Sequence, residues 1–173
     1  MKNIALIFIL SFSIQSCFSQ NLSLKQLIEI KEGDISAAKQ YLIENNWEFL
    51  NEEQPLLREM GYATFAYNRD QLTNTAESFL NFYHSKYLST IRVNIQGNLK
   101  LKYSEYEKAI EDFGCILIST SKEDENLVKV YRGEIYTFKV SCSRNSIDEN
   151  QEFVPWGVFI ISNEDYDLNW ANK

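Results

Sequence analysis

The chain has 173 residues, of which 45% are hydrophobic, 14% aromatic and 24% charged. This composition excludes collagen-like, coiled-coil and wholly disordered proteins, and the length suits one mid-sized domain or two small lobes. With 17 Lys and Arg against 24 Asp and Glu, the net charge is −7, which repels phosphate backbones and argues against nucleic acid as a partner.

The first 19 residues have the pattern of a secretory signal peptide. A single lysine, Lys2, precedes an apolar run over residues 4–10, and small polar residues follow. The apolar run is shorter than the roughly 20 residues that a membrane-spanning helix needs. We therefore expect cleavage after Ser19 and export to the periplasm or the medium.

A second interpretation of the leader is a lipoprotein signal. Residues 14–17 have the sequence Ile-Gln-Ser-Cys and resemble the lipobox of bacterial lipoproteins, in which the cysteine becomes the lipidated first residue. On this interpretation Cys17 anchors the mature chain to the membrane through its lipid, and the chain has no other contact with the membrane.

Two helices are predicted directly after the leader. Ser23 and Gln26 form a capping box at the start of the first helix, and Gly33 ends it. Asp34 caps the second helix, and Asn45-Asn46 is typical of a left-handed stop. The acidic charge of the chain argues against a DNA-reading role for this helical hairpin.

After Asn46 the apolar residues alternate with polar ones, which is the period of a β-strand. Four such runs occur, at residues 47–49, 63–67, 80–82 and 91–95. Because no helical pattern lies between them, they predict an antiparallel meander with one packed face.

The same order of signals then repeats. A third helix is predicted with Ser104 and Glu107 as its capping box and Gly114 after its end. Strand patterns follow at residues 115–119, 127–132, 135–142 and 153–161. The sequence thus predicts an α+β fold of two similar units, 20–98 and 99–173, each a helix or helical hairpin followed by a meander of about four strands. One continuous domain predicts nearly the same pattern.

This order of elements resembles the tandem helix-plus-sheet layout of the β-lactamase inhibitor protein family. More loosely, it is similar to short exported proteins of unknown function from Bacteroidetes-type bacteria. The resemblance covers most of the mature chain as architecture and implies no individual contact residues. Members of the inhibitor family carry a disulfide in each unit, whereas the first unit here has no cysteine.

Cys115 and Cys142 are the two cysteines outside the leader. Export to an oxidising compartment would allow them to pair. However, the first and third strands of a meander are not neighbours, so their Cα atoms should lie beyond the bridging limit of about 7 Å. Two separate buried thiols are therefore favoured, with a disulfide as the alternative. Two thiols and one distant histidine give no metal-ligand spacing.

No catalytic residue is predicted. His84 is the single histidine, and no Gly-x-Ser-x-Gly nucleophile motif accompanies it. The carboxylates fall in predicted loops and in the C-terminal tail, where Asp165 and Asp167 are interpreted as solvated charge, so no buried acid pair is expected. The chain also lacks a phosphate-binding loop and a dinucleotide motif, and we expect no cofactor.

The remaining signal is the aromatic content of ten Tyr, eleven Phe and three Trp. Tyrosine combines apolar area with a hydrogen-bonding tip, so a sheet face carrying Tyr62, Tyr67, Tyr83 and Tyr87 is a candidate docking surface. Packing in the core is the alternative for each of these rings.

Three functions remain open. The leading hypothesis is an exported, non-enzymatic protein that binds another protein, another macromolecule or a surface ligand through its sheet. The second is a periplasmic immunity or inhibitor protein whose acidic loops neutralise a basic partner. The third is an enzyme with an unfamiliar site.

Overall fold

A computed structural model describes residues 22–57, 59–87, 90–143 and 153–171. The leader, with its predicted cleavage after Ser19 or lipidation of Cys17, lies outside the described residues. In the part of the chain that is described, no helix is long and apolar enough to cross a membrane.

The described residues form four helices and eight strands. The helices are α1 (Leu24–Glu32), α2 (Ile35–Glu44), α3 (Lys100–Asp112) and α4 (Asn163–Asn169). The strands are β1 (Trp47–Glu53), β2 (Gly61–Tyr67), β3 (Ser78–His84), β4 (Ile91–Leu99), β5 (Ile116–Glu123), β6 (Asn126–Arg132), β7 (Tyr136–Ser143) and β8 (Phe153–Ser162).

All eight strands belong to one antiparallel sheet in the order β1-β2-β3-β4-β8-β7-β6-β5. The last strand of each meander lies at the centre, where Val93 of β4 is opposite Ile160 of β8. The two meanders are therefore halves of one continuous sheet. The predicted α+β class is confirmed, whereas the division into units 20–98 and 99–173 stays a prediction.

The core lies between one face of the sheet, which we call the helix face, and helices α1, α2 and α3. Leu27, Leu42 and Ile110 project from these three helices into the same buried cluster as Phe82 and Phe138 of the sheet. Burying a side chain of this size contributes about 1.5–3 kcal/mol. Strand alternation directs every second residue into this cluster, which leaves the other face of the sheet for polar side chains.

The first two helices begin and end where the sequence predicts, because their boundaries are set locally. Ser23 and Gln26 form both bonds of the capping box. The Asp34 carboxylate accepts a hydrogen bond of 2.8 Å from the backbone N–H of Ala37. Asn46 has a φ of 64°, which ends α2 in the left-handed conformation that asparagine tolerates.

The predicted capping box of α3 is wrong. The helix begins at Lys100, directly after β4, and its N-cap Leu99 makes no side-chain capping bond. Ser104 instead lies inside the helix, where its hydroxyl donates to the Lys100 carbonyl oxygen at 3.4 Å. The sheet carries the chain straight into this helix, so no polar cap marks its start. Gly114 follows its end with a φ of 88°.

Cys115 and Cys142 are both buried and both free, so the disulfide alternative is wrong. Cys115 immediately precedes β5, Cys142 lies on β7, and β6 separates these two strands in the sheet. Burial raises the pKa of the Cys115 thiol.

Candidate functional site

The sheet face opposite α1, α2 and α3, which we call the open face, carries mostly polar and aromatic side chains. Strand pairing arranges them in rows that cross the sheet. One row contains Thr64, Asn81, Asn94, Phe159 and Lys139, and the next contains Ala66, Phe79, Gln96, Gly157 and Ser141.

Helix α4 covers one end of the open face. Ser162 caps this helix by accepting a hydrogen bond of 3.3 Å from the backbone N–H of Asp165. Thr137 of β7 donates to the Asn163 side chain at 2.8 Å, which ties the start of α4 to the sheet. The interpretation of this segment as a solvated tail is therefore wrong.

Two ion pairs fix α4 to the sheet. Arg92 of β4 contacts Asp165, whose side chain is only 4% exposed. Arg132 of β6 donates two hydrogen bonds to Asp167 at 2.7 and 2.8 Å. The Arg132 guanidinium holds the pKa of the Asp167 carboxyl below its usual range.

The spacing of Ser162 and Asp165 is that of a helix cap, and it is the sequence signal by which α4 could have been found.

The end of α4 places Trp170 over the open face. Its ring lies 5.4 Å from that of Phe159, which lies 5.6 Å from Tyr83. Tyr83 in turn is 6.2 Å from Tyr62, so four rings follow one another across the sheet. Spacings of 4.5–7 Å are those of favourable aromatic pairs.

A cavity of about 340 Å³ opens between Trp170 and the centre of the sheet, and we call it the cleft. Its polar walls are provided by three amides, a hydroxyl and an ammonium, and its apolar walls by aromatic rings. The lining side chains include Asn94, Gln96, Asn126, Lys139, Ser141, Phe159 and Trp170.

Gly157, in the central strand β8, forms the floor of the cleft. A Cβ atom at this position would lie 3.3 Å from Ser141 Oγ and 3.7 Å from both Asn94 Oδ1 and Gln96 Cγ. The backbone of Gly157 does not have a positive φ, so its conformation does not require glycine. A glycine inside a central strand weakens the sheet and often marks a place where a ligand approaches the backbone.

The charged groups nearest the cleft are paired within the protein. The Lys139 ammonium donates to Glu123 at 2.8 Å and lies 5.2 Å from the centre of the Trp170 ring. Arg92 pairs with Asp165, and its guanidinium lies 5.6 Å from the same ring. Burial raises the pKa of the adjacent Tyr83 hydroxyl, while a hydrogen bond with Asn94 and the charge of Arg92 act in the opposite direction.

The four predicted tyrosines do not share one surface. Tyr62 and Tyr83 lie on the open face. Tyr67 faces the helices, with its ring 5.4 Å from that of Trp47. Tyr87 lies in the loop after β3 and is 52% exposed. Tyr62 and Tyr67 are five residues apart on one strand, and an odd separation places two side chains on opposite faces.

His84 is remote from the cleft. It ends β3 on the helix face, where its ring lies 6.3 Å from that of Phe82. Its Nε2 atom is buried and has no hydrogen-bond partner among the described residues. Within the same part of the chain, no group of three or more His, Cys, Asp or Glu could hold a metal ion.

Comparisons with protein-family models, with curated proteins and with solved structures found no match to this chain. The resemblance to the β-lactamase inhibitor protein family therefore stays a prediction.

Proposed function

We propose that this protein is an exported, non-enzymatic binding protein that holds its ligand in the cleft of the open face. The observation that carries the proposal is Gly157, which leaves a cavity in the centre of the sheet at the cost of a weaker strand. The proposal of export rests on the apolar run and small residues of the leader.

Polar groups of the cleft are available to a ligand. Among the described residues, the side chains of Gln96 and Ser141 make no hydrogen bond, although both line the cavity. The Trp170 ring also lines the cavity, whereas its Nε1 atom is buried and does not face solvent. Unused donors and acceptors beside aromatic rings are typical of a small-molecule site.

The arrangement of Lys139 and Ser141 supports binding rather than catalysis. The two residues are neighbours on the same face of β7, and a serine nucleophile needs a base within hydrogen-bond reach. The Lys139 ammonium donates to Glu123, and no hydrogen bond joins it to the Ser141 hydroxyl within the described residues. This geometry does not match an activated nucleophile.

Small chemical probes can test the proposed binding site. We would titrate the purified, ¹⁵N-labelled protein with acetamide and with phenol, which reproduce an amide and an aromatic contact. We expect the largest NMR shifts at the side-chain amides of Asn94 and Gln96 and at the indole N–H of Trp170. Shifts confined to the groove between α1 and α2, which is lined by Ala37 and Tyr41 among others, would contradict the proposal.

A matched pair of variants locates the site. Gly157→Val fills the floor of the cleft, so the probe-induced shifts should disappear. Ser121→Val introduces the same side chain on edge strand β5, in the same row across the open face but outside the cleft. It should leave the shifts unchanged. Unchanged probe-induced shifts in Gly157→Val would exclude the cleft as the binding site.

A further inference from the structure

We infer that the ligand class of the cleft is a neutral saccharide. This inference rests on the proposed function, because it names the ligand of the same site. It follows from the geometry of the aromatic rings, the chemistry of the polar groups, the pairing of the charges and the size of the cavity.

The aromatic rings form an apolar corner. The planes of Phe159 and Trp170 are inclined at 46°, with their centres 5.4 Å apart. In such a corner, one ring can stack on an apolar face of a ligand while the other ring contacts its edge. The C–H groups on one face of a sugar ring provide such a surface, and aromatic side chains supply large apolar area at a low cost in conformational entropy.

The polar walls match hydroxyl groups. Asn94, Gln96 and Asn126 each carry an amide with both donors and an acceptor, and the Ser141 hydroxyl can also act in both ways. A sugar hydroxyl donates one hydrogen bond and accepts others, so it can be satisfied by any of these groups. A site built to bond such hydroxyls disfavours ligands that lack them, because its polar groups would remain unpaired.

The charges favour an uncharged ligand. Lys139 pairs with Glu123 and Arg92 with Asp165, so both cations beside the cleft are already neutralised. No carboxylate lines the cavity in the described part of the chain. A phosphate, a carboxylate or an ammonium placed there would lose water without gaining a free counter-charge, which is unfavourable.

The size of the cavity favours a compact ligand over an extended one. Small-molecule sites measure about 300–1,000 Å³, and the cleft is close to the lower limit at about 340 Å³. Extended peptides are usually recognised along a sheet edge or in a long groove. The cleft instead lies over the central strands β4 and β8, away from both edges of the sheet.

The test is a printed array of neutral and acidic glycans, together with the uncharged peptide acetyl-Ala-Ser-Ala-amide as a separate ligand. We expect the protein to bind to neutral glycans on the array and to bind neither acidic glycans nor the peptide. For a neutral glycan that binds the protein, Gly157→Val and Trp170→Ala should each weaken binding at least about tenfold, which corresponds to about 1.4 kcal/mol. Ser121→Val should bind as the unmodified protein does.

The results can distinguish an error in the ligand class from an error in the location of the binding site. The saccharide inference would be overturned if the protein bound no neutral glycan, or if it preferred acidic glycans or the peptide. If acetamide and phenol still shift Asn94 and Trp170 in that case, the proposed function stands without it. If these probes do not map to the cleft, both proposals fail.

Discussion

The guanidinium group of Arg92 donates two hydrogen bonds to the carboxylate of Asp165, at 2.6 and 2.7 Å. The two residues are 73 positions apart in the chain and join the first meander to the last helix. This contact holds α4 on the open face and thereby holds Trp170 above Phe159. The shape of the cleft therefore depends on a nearly buried ion pair.

The first prediction concerns this ion pair. Asp165→Ala should lower the free energy of unfolding by about 3–5 kcal/mol, because it leaves Arg92 beside the sheet without its counter-charge. Urea denaturation followed by circular dichroism would measure the loss. The control is Asp167→Ala, which removes an exposed pair with Arg132 and should cost only about 0–1 kcal/mol. A loss for Asp165→Ala of only about 0–1 kcal/mol would show that Asp165 does not anchor α4.

The second prediction contrasts two glycines of the sheet. Gly157→Val should change the free energy of unfolding by less than about 1 kcal/mol, because valine suits a strand and the Ser141 hydroxyl, 3.3 Å from the new Cβ atom, can turn away into the cavity. Gly97→Val should cost about 1–3 kcal/mol, because a Cβ atom there would lie 2.6 Å from Cζ2 of Trp156. Thermal and urea denaturation of the two variants would measure both values. A larger loss for Gly157→Val would mean that this glycine is needed for packing.

The third prediction is a loss of stability at alkaline pH. The Tyr136 hydroxyl donates to Glu32 at 2.7 Å, and its burial together with this bond raises its pKa to about 12. In the unfolded chain the pKa of tyrosine is about 10. The contribution of the Tyr136 hydroxyl to the free energy of unfolding is therefore complete below about pH 10 and is lost as the pH rises towards about 12.

Tyr136→Phe should make the free energy of unfolding less dependent on pH in this interval. Urea titrations at several alkaline pH values would measure that dependence in both proteins. Burial also raises the pKa values of Tyr106 and Tyr131, so part of the dependence should persist in the variant. An identical pH dependence in both proteins would contradict the assignment to Tyr136.

The fourth prediction concerns the thiols. Cys115 and Cys142 are free and buried, so both should react with a thiol reagent in denaturant and react slowly in the native protein. Counting labelled thiols by mass spectrometry, without a reductant, would measure this. Absence of labelling at both positions in denaturant would reveal a disulfide.

Features set by near neighbours could be predicted from the sequence. Ser23 and Asp34 cap their helices through residues three positions away, and Asn46 ends α2 through its own backbone conformation. Short apolar runs, most of them alternating with polar residues, likewise located all eight strands. These signals depend on a few consecutive residues. The capping box predicted at Ser104 is the exception, because β4 continues directly into α3 and the helix begins earlier.

Features set by distant residues could not be predicted in the same way. Helix α4 carries a local cap signal in Ser162 and Asp165, but its position on the sheet is set by Arg92 and Arg132, which are remote in the sequence. The cleft requires the pairing of β4 with β8, which brings Asn94 beside Phe159. The separation of Tyr62 from Tyr67 is different, because it depends only on the alternation of side chains along β2 and not on distant residues.

The most direct test of the cleft as a binding site is an NMR titration of the Trp170 indole N–H with a neutral glycan to which the protein binds on the array. In the unmodified protein we predict a saturable shift, because the Trp170 ring lines the cleft and a bound glycan changes the surroundings of its N–H. In Gly157→Val the glycan should no longer bind, and the shift should be absent. Saturable binding of equal strength in Gly157→Val would contradict the location of the site.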